Sequence, residues 1–299
     1  MAPAKPTLLL VDGHAYAYRA FHAIRDLRAP DGKATNAIFG FVKMLARMRG
    51  VITPTHLAVI WDGGLSAERM ALVPEYKAQR PSMPDELAQQ IEEMAVYLRA
   101  AGVTSMQRDG IEADDLIASL VRLGERQGGR VVIASADKDF FQMVSASVGL
   151  FNPNDKTDTI WSPAQVEAKT GVQPGQIVDW LSLVGDAVDN IRGVPGVGPK
   201  TATDLLVRFG SVESLFARLV EVKSDRLRSA LLESADAIRR NQQMIRLRDD
   251  LPVPVSLDEL IAGEPDCGSL LGLFRRWGFK GLAAEVEKMA GGQRDLFAA

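Results

Sequence analysis

The sequence predicts an α/β protein: a parallel sheet flanked by helices, with a smaller helical module at its C-terminal end. Three observations carry this. Short runs rich in Leu, Ile and Val recur between amphipathic helical patterns. Strand–helix alternation of that kind builds a parallel sheet covered on both faces. From about residue 173 the apolar runs of strand length cease and helical patterns take over. The third observation is that the strand-like runs end in aspartate, where a doubly wound sheet places its ligand site.

Taken in order, TLLLVD (7–12) reads as a buried parallel strand. ATNAIFGFVKMLARMRG (34–50) reads as a helix and HLAVIWD (56–62) as a second strand. The segment LSAERMALVPEYKAQRPSMPDEL (65–87) is polar, locally basic and broken by prolines, and it leaves a strand end; it is expected to form a mobile arch or lid over about 65–90. Helices follow at MPDELAQQIEEMAVYLRAAG (83–102) and EADDLIASLVRLGERQG (112–128), then a strand at RVVIASADKD (130–139). These elements define an expected sheet domain over 1–172. VQPGQIVDWLSLVGDAVDN, a Gly/Pro hairpin and TATDLLVRFGSVESLFARLV open a helical module expected over 173–290. Residues 291–299 are expected to be a flexible tail.

Composition narrows the chemistry. Among 299 residues there is one cysteine, Cys267, and three histidines, so a disulfide framework, a cysteine zinc site and a His-rich metal site are disfavoured. With 35 Lys and Arg against 38 Asp and Glu, the formal net charge is -3, so a nucleic-acid partner requires local basic patches. The N-terminal apolar run is too short for a signal h-region, and no apolar run approaches membrane-spanning length. A cytoplasmic protein without a membrane partner is expected.

The carboxylates carry the strongest signal. Asp12 and Asp62 end strands, Glu112, Asp114 and Asp115 open a helix, Asp137 and Asp139 come from SADKD, and Asp186 and Asp189 come from GDAVDN. Each has an ordinary reading: a strand-end Asp is commonly a turn residue or helix cap, acids opening a helix complement its dipole, and the DxD pair could be a solvated turn. Convergence of all of them would concentrate negative charge that needs compensation. Hard divalent cations provide it, since carboxylate and water ligands suit Mg²⁺ or Mn²⁺. Two such ions roughly 4 Å apart would make a phosphodiester-cleaving site.

GVPGVGPKTA nearly matches the phosphate-binding GxxxxGK[ST] loop, but Pro199 separates Gly198 from Lys200 and no strand is read before it. A helix–hairpin–helix turn fits better. Gly196 and Gly198 let backbone approach a phosphate, the following helix offers its N-terminus, and Lys200 and Thr201 add contacts to a nucleic-acid backbone. An ordinary glycine-rich helix connection is the plainer alternative.

The set VDG…YRAFHA, WD, YKAQRP, IEADDLIA, SADKDFFQMV and VGDAVDNIRGVPGVGPKTA, running from about 7 to 285, resembles the bacterial 5′-nuclease family: the PIN-like 5′→3′ exonuclease domains that open DNA polymerase I, related to flap endonucleases. The resemblance implies a metal-dependent phosphodiester hydrolase acting on 5′ flaps, nicks and RNA-primed ends in replication and repair. It implies one metal group at Asp12, Asp62, Glu112 and Asp114 with Asp115 beside them, and a second at Asp137, Asp139, Asp186 and Asp189. It implies catalytic contacts to the scissile phosphate from Lys77 and Arg80, base stacking by Tyr18, a basic contact at nearby Arg19, and a helix–three-turn–helix at the hairpin that holds K⁺. The implied cofactor is Mg²⁺, two ions per site, with Mn²⁺ able to substitute; a monomer is expected. Two departures stand out. Glu68 and Arg69 occupy the place of the family's aromatic–Arg pair, and His14 follows where small hydroxyl residues are common; His14 is read as a local hydrogen-bonding residue and not a general base.

QRDLF at the end of the chain resembles the peptide by which bacterial replication proteins bind the sliding clamp, with Gln293 as polar anchor and Leu296 and Phe297 as apolar plugs. Other readings are an RNA-directed PIN-like nuclease, against which the hairpin module argues, a non-catalytic DNA-structure-binding protein, against which the full acid set argues, and more remotely a sugar or phosphate-ester enzyme using DxD.

Overall fold

A computed structural model describes residues 5–152 and 157–291. The chain runs β1 (Thr7–Asp12), α1 (Gly13–Ala23), α2 (Asn36–Ile52), β2 (His56–Trp61), α3 (Ala67–Leu72), α4 (Asp85–Ala100), β3 (Thr104–Gln107), α5 (Ala113–Arg126), β4 (Arg130–Ala134), β5 (Val148–Phe151), β6 (Ile160–Trp161) and α6 (Pro163–Thr170). Then come α7 (Ile177–Val184), the short pair β7 (Gly185–Asp186) and β8 (Ile191–Arg192), α8 (Pro199–Phe209), α9 (Val212–Ala217), α10 (Asp225–Glu233), α11 (Ala235–Ile245), α12 (Cys267–Arg276) and α13 (Lys280–Ala290).

The main sheet has the order β3-β2-β1-β4-β5-β6, parallel except for the antiparallel β6 edge. Strand side chains alternate between faces, and the two faces have separate cores. Leu8, Leu10, Ile60, Val131 and Ile133 pack with α5 and the helical module. Leu9, Val11, Val59, Val132 and Ala134 pack with α1, α2 and α4. Connections leave β1 toward β2 on one side, while β4 flanks it on the other. The crevice at the carboxyl ends of β1 and β4 is therefore the switch point at which an open α/β sheet binds ligand.

One expectation is corrected here. The strand expected over 130–139 stops at Ala134. The Asp137 side chain accepts the Asp139 N–H at 2.9 Å and starts a 3₁₀ turn over Lys138–Met143, so SADKD is a loop and not a strand. Helix α1 forms directly after β1, because Asp12 serves as its N-cap. The helices expected over 173–290 pack on both faces of the sheet. Helices α7 to α11 join the α5 face, whereas Leu270, Phe274, Trp277, Leu282 and Val286 of α12 and α13 cover the opposite face beside α2 and α4. The segment of the expected arch forms α3 followed by turns over 74–79. Gln293, Leu296 and Phe297 lie outside the described residues.

Candidate metal centre

Sheet geometry brings the acids together. Asp12 ends β1; one of its oxygens accepts the Ala15 N–H at 3.0 Å and the other accepts the Ser135 hydroxyl at 2.9 Å. It is thus a cap and a site residue at once. Burial, followed by Asp62 and Asp137, pushes the Asp12 carboxyl up to about 7, although the Ala15 and Ser135 bonds oppose this. Asp62 follows β2 and accepts the Ala113 N–H at 2.8 Å, at the N-terminus of α5. His14 Nδ1 accepts the Asp62 backbone N–H at 3.0 Å, and burial lowers the His14 pKa. His14 thus makes a local hydrogen bond to the Asp62 backbone.

Glu112 caps α5 and is almost completely buried. Its four contacts all come from the arch. Oε1 accepts the Ser66 N–H at 3.1 Å and lies 3.3 Å from Arg69 Nη1. Oε2 accepts the Tyr76 hydroxyl at 3.1 Å and the Lys77 ammonium. Burial alone would raise its pKa; Lys77 and Arg69 overcome that and hold the carboxyl below the usual range.

Asp114 and Asp137 connect the two expected groups. Burial first, then Asp137, Asp12 and Asp62, raises Asp114 well above the ordinary carboxylate value. Asp137 is raised by burial and by Asp189 and Asp186. Asp114 thus senses acids of both expected groups, Asp12 and Asp62 from one and Asp137 from the other. Asp139, Asp186 and Asp189 offer oxygens all within 4.8 Å of one another. Asp139 is raised well above its ordinary value by burial and by Asp137, Asp189 and Asp186. Its Oδ1 is buried without a hydrogen-bond partner.

Gly185 sets the Asp186–Asp189 loop. Its φ is +85°, and a Cβ there would lie 2.4 Å from the Gly193 nitrogen, so only glycine closes this turn. The loop is also clasped by the arch: the Lys77 N–H donates to the Asp189 carbonyl, Gln79 to the Ala187 carbonyl, and Asn190 to the Glu75 carbonyl. Arg80 pairs with Asp189 at 2.6 Å, Lys77 Nζ lies 3.9 Å from Asp189, and Lys138 pairs with Asp186 at 3.1 Å. Lys77 is buried, with φ +55°.

Asp115 departs from the expectation. Both its oxygens accept from Arg69, from Nη1 and Nη2 at 2.8 Å each, and the pair is buried. Adjacent helical positions point about 100° apart, so Asp114 and Asp115 cannot both face the strand ends. Asp115 faces the arch base instead. Setting that pair aside, among the described residues eight carboxylates (Asp12, Asp62, Glu112, Asp114, Asp137, Asp139, Asp186, Asp189) lie against the side-chain cations Lys77, Arg80 and Lys138. An excess of oxygen donors, one of them buried and unpartnered, fits hard divalent cations.

The expected DNA-contacting residues lie on α1 and on the hairpin before α8. Tyr18 and Arg19 are on α1; Tyr18 is half-buried, stacks near His22, and feels the charges of Arg80 and Asp62. The hairpin follows β8 directly. Gly196 has φ +80°, a Cβ at Gly196 or Gly198 would meet nothing within 4 Å, and Lys200 is exposed in the first turn of α8. Sequence reasoning missed Tyr76, Ser135 and Lys138, and it noticed Arg69 without giving it a partner. Their proximity to named acids in the sequence was visible; the side each one faces was not.

This arrangement matches known proteins. Residues 7–171 match the family model of the 5'-3' exonuclease N-terminal, resolvase-like domain, and residues 172–267 that of the 5'-3' exonuclease C-terminal SAM fold. The chain belongs to the 5'-3' exonuclease family. Among its relatives, a 5'-3' exonuclease of Aquifex aeolicus is 36% identical over 293 residues, covering 97% of this chain and 99% of the relative. A DNA polymerase I of Rhizobium leguminosarum is 38% identical over 287 residues, covering 93% of this chain. This family member spans 28% of that polymerase's length. The fold is shared with T5 5'-exonuclease bearing zinc, at TM-score 0.68 and 21% identity over 95% of this chain and 99% of that one. It is shared equally with a T5 D15 flap endonuclease variant in complex with DNA and metal ions, at TM-score 0.68 and 20% identity, again over 95% and 99% of the two chains. Among the described residues no helix is long and apolar enough to cross a membrane.

Proposed function

We propose that the chain is a structure-specific 5′→3′ exonuclease and flap endonuclease that hydrolyses DNA phosphodiesters at 5′ flaps, nicks and RNA-primed ends, in DNA replication and repair. The observation that carries this is the oxygen-only acid field at the strand ends, with the arch cations Lys77 and Arg80 laid against it. Two Mg²⁺ ions, for which Mn²⁺ can substitute, would be held by Asp12, Asp62, Glu112, Asp114, Asp137, Asp139, Asp186 and Asp189, and would supply water activation and charge stabilisation at the reacting phosphorus. The remaining work falls to the chain itself. Lys77 and Arg80, released from their carboxylate partners, meet the charge that develops on the scissile phosphate. Tyr18 stacks on the terminal base and Arg19 contacts the strand beside it. The Gly196–Thr201 hairpin and the start of α8 grip a duplex phosphate backbone through N–H groups, Lys200 and Thr201, and hairpin carbonyls would hold K⁺. Asp115 is withdrawn from the ligand set, because Arg69 takes both its oxygens. The protein acts in the cytoplasm as a monomer, and its final residues Gln293, Leu296 and Phe297 dock on the sliding clamp.

Polarity tests this reading. Matched duplexes carrying either a 5′ or a 3′ flap are incubated with the protein and Mg²⁺. Cleavage near the junction of the 5′ flap, leaving a 5′-phosphate that ligase can seal, is expected. Equal cleavage of both flaps, or tight 5′-flap binding with no cleavage in Mg²⁺ or Mn²⁺, contradicts it.

A further inference from the structure

Arg69 is buried at the base of the arch, and its guanidinium is saturated. Nη1 and Nη2 bind Asp115, Nε donates to the Met244 carbonyl at 2.9 Å, and Nη2 also donates to the Arg246 carbonyl at 3.2 Å. Nη1 in addition lies 3.3 Å from Glu112 Oε1. Asp115 Oδ1 accepts the Arg248 N–H at 2.9 Å, so the pair is tied twice to the segment that leaves α11.

We infer that Arg69 is a positioning residue for the acid site: it fixes the Glu112 carboxylate through Oε1, and Asp115 serves as its counter-ion. The two oxygens of Glu112 face different kinds of cation. Oε2 faces Lys77, a point charge on a flexible stem. Oε1 faces a planar fork clamped by a bidentate carboxylate and two backbone carbonyls. When Lys77 leaves for substrate, Arg69 stays. It therefore holds the orientation of Glu112, and it links that carboxylate to both the arch base and the helical module. The inference rests on Glu112 belonging to the metal site.

Mn²⁺ binding is measured by calorimetry without DNA, beside thermal midpoints in EDTA. Arg69→Met leaves Asp115 buried and uncompensated, so it is expected to lower the midpoint. Arg69→Met combined with Asp115→Leu replaces the ion pair by apolar groups and is expected to recover stability. Loss of a group that orients a metal ligand typically weakens metal affinity about 10–100-fold, and that loss is expected in the single and the double variant alike. Arg69→Lys, which keeps the charge but cannot span all four partners, is expected to fall between wild type and Arg69→Met. The half-saturating Mg²⁺ for cleavage should shift in parallel, with kcat at saturating Mg²⁺ nearly unchanged. Wild-type Mn²⁺ affinity in a folded Arg69→Lys or double variant overturns the positioning role and leaves Arg69 structural. Absence of Mn²⁺ binding by the wild type overturns the metal site itself, and the inference with it.

Discussion

Replacing Asp114 by Asn is expected to reduce single-turnover cleavage of a 5′-flap duplex by about 10³-fold or more, equivalent to about 4 kcal/mol of lost transition-state stabilisation. The same variant should be at least as stable as wild type in EDTA. Both expectations have one cause. Burial and three neighbouring carboxylates, Asp137, Asp12 and Asp62, press on Asp114, while only Lys77 relieves it. The repulsion from three carboxylates and the cost of burial outweigh the Lys77 attraction, so neutralising Asp114 removes net strain. On the proposed function, a group that weakens the metal-free fold is kept because the reaction needs it. Flap cleavage under single-turnover conditions and the thermal midpoint in EDTA are the two readouts. Substantial residual cleavage would remove Asp114 from the site; a large loss of stability would make it a structural residue.

Lys77→Met should lower kcat by about 10²–10³-fold, the usual consequence of removing one donor aimed at developing charge. Its effect on metal binding should differ in sign. Lys77 neutralises Glu112 and stands near Asp189, where it competes with any cation for the same oxygens. Without it Mg²⁺ is expected to bind at least as tightly, so half-saturating Mg²⁺ stays level or falls while kcat collapses. Stability should respond as well. Breaking a buried ion pair by removing one partner costs about 3–5 kcal/mol, and here Arg69, Tyr76 and Ser66 still contact Glu112. The EDTA midpoint should drop, and Mg²⁺ should recover more of it than in wild type. A parallel loss of kcat and Mg²⁺ affinity would mean that Lys77 supports the metal site and not the phosphate.

Much of this was legible in the residues. Strand-length apolar runs ending in Asp12 and Asp62 located the site, because a parallel sheet presents its carboxyl ends together. The acids of SADKD and GDAVDN were visible as candidates, though SADKD is a capped loop and not the end of a strand. What sequence could not separate was Asp114 from Asp115: the two are identical in chemistry and adjacent in number, and only the helical rotation between them decides that one faces the acids and the other Arg69. Arg69 was noticed only as the residue standing in a departed motif, since its partners lie 46 residues away and beyond 170 residues away. Helices α12 and α13 likewise advertise an apolar face without naming the surface it covers, and they return to α2 and α4 across the sheet from the helical module.

The central claim is that the acid field works by holding divalent cations that cut DNA. Its most direct test follows cleavage of a labelled 5′-flap duplex by the wild-type protein as Mg²⁺ is titrated in from EDTA. Cleavage absent in EDTA, rising with Mg²⁺ and abolished again by chelation, is the predicted result. Cleavage that persists undiminished in excess EDTA would contradict the claim, and so would its absence at every Mg²⁺ and Mn²⁺ concentration.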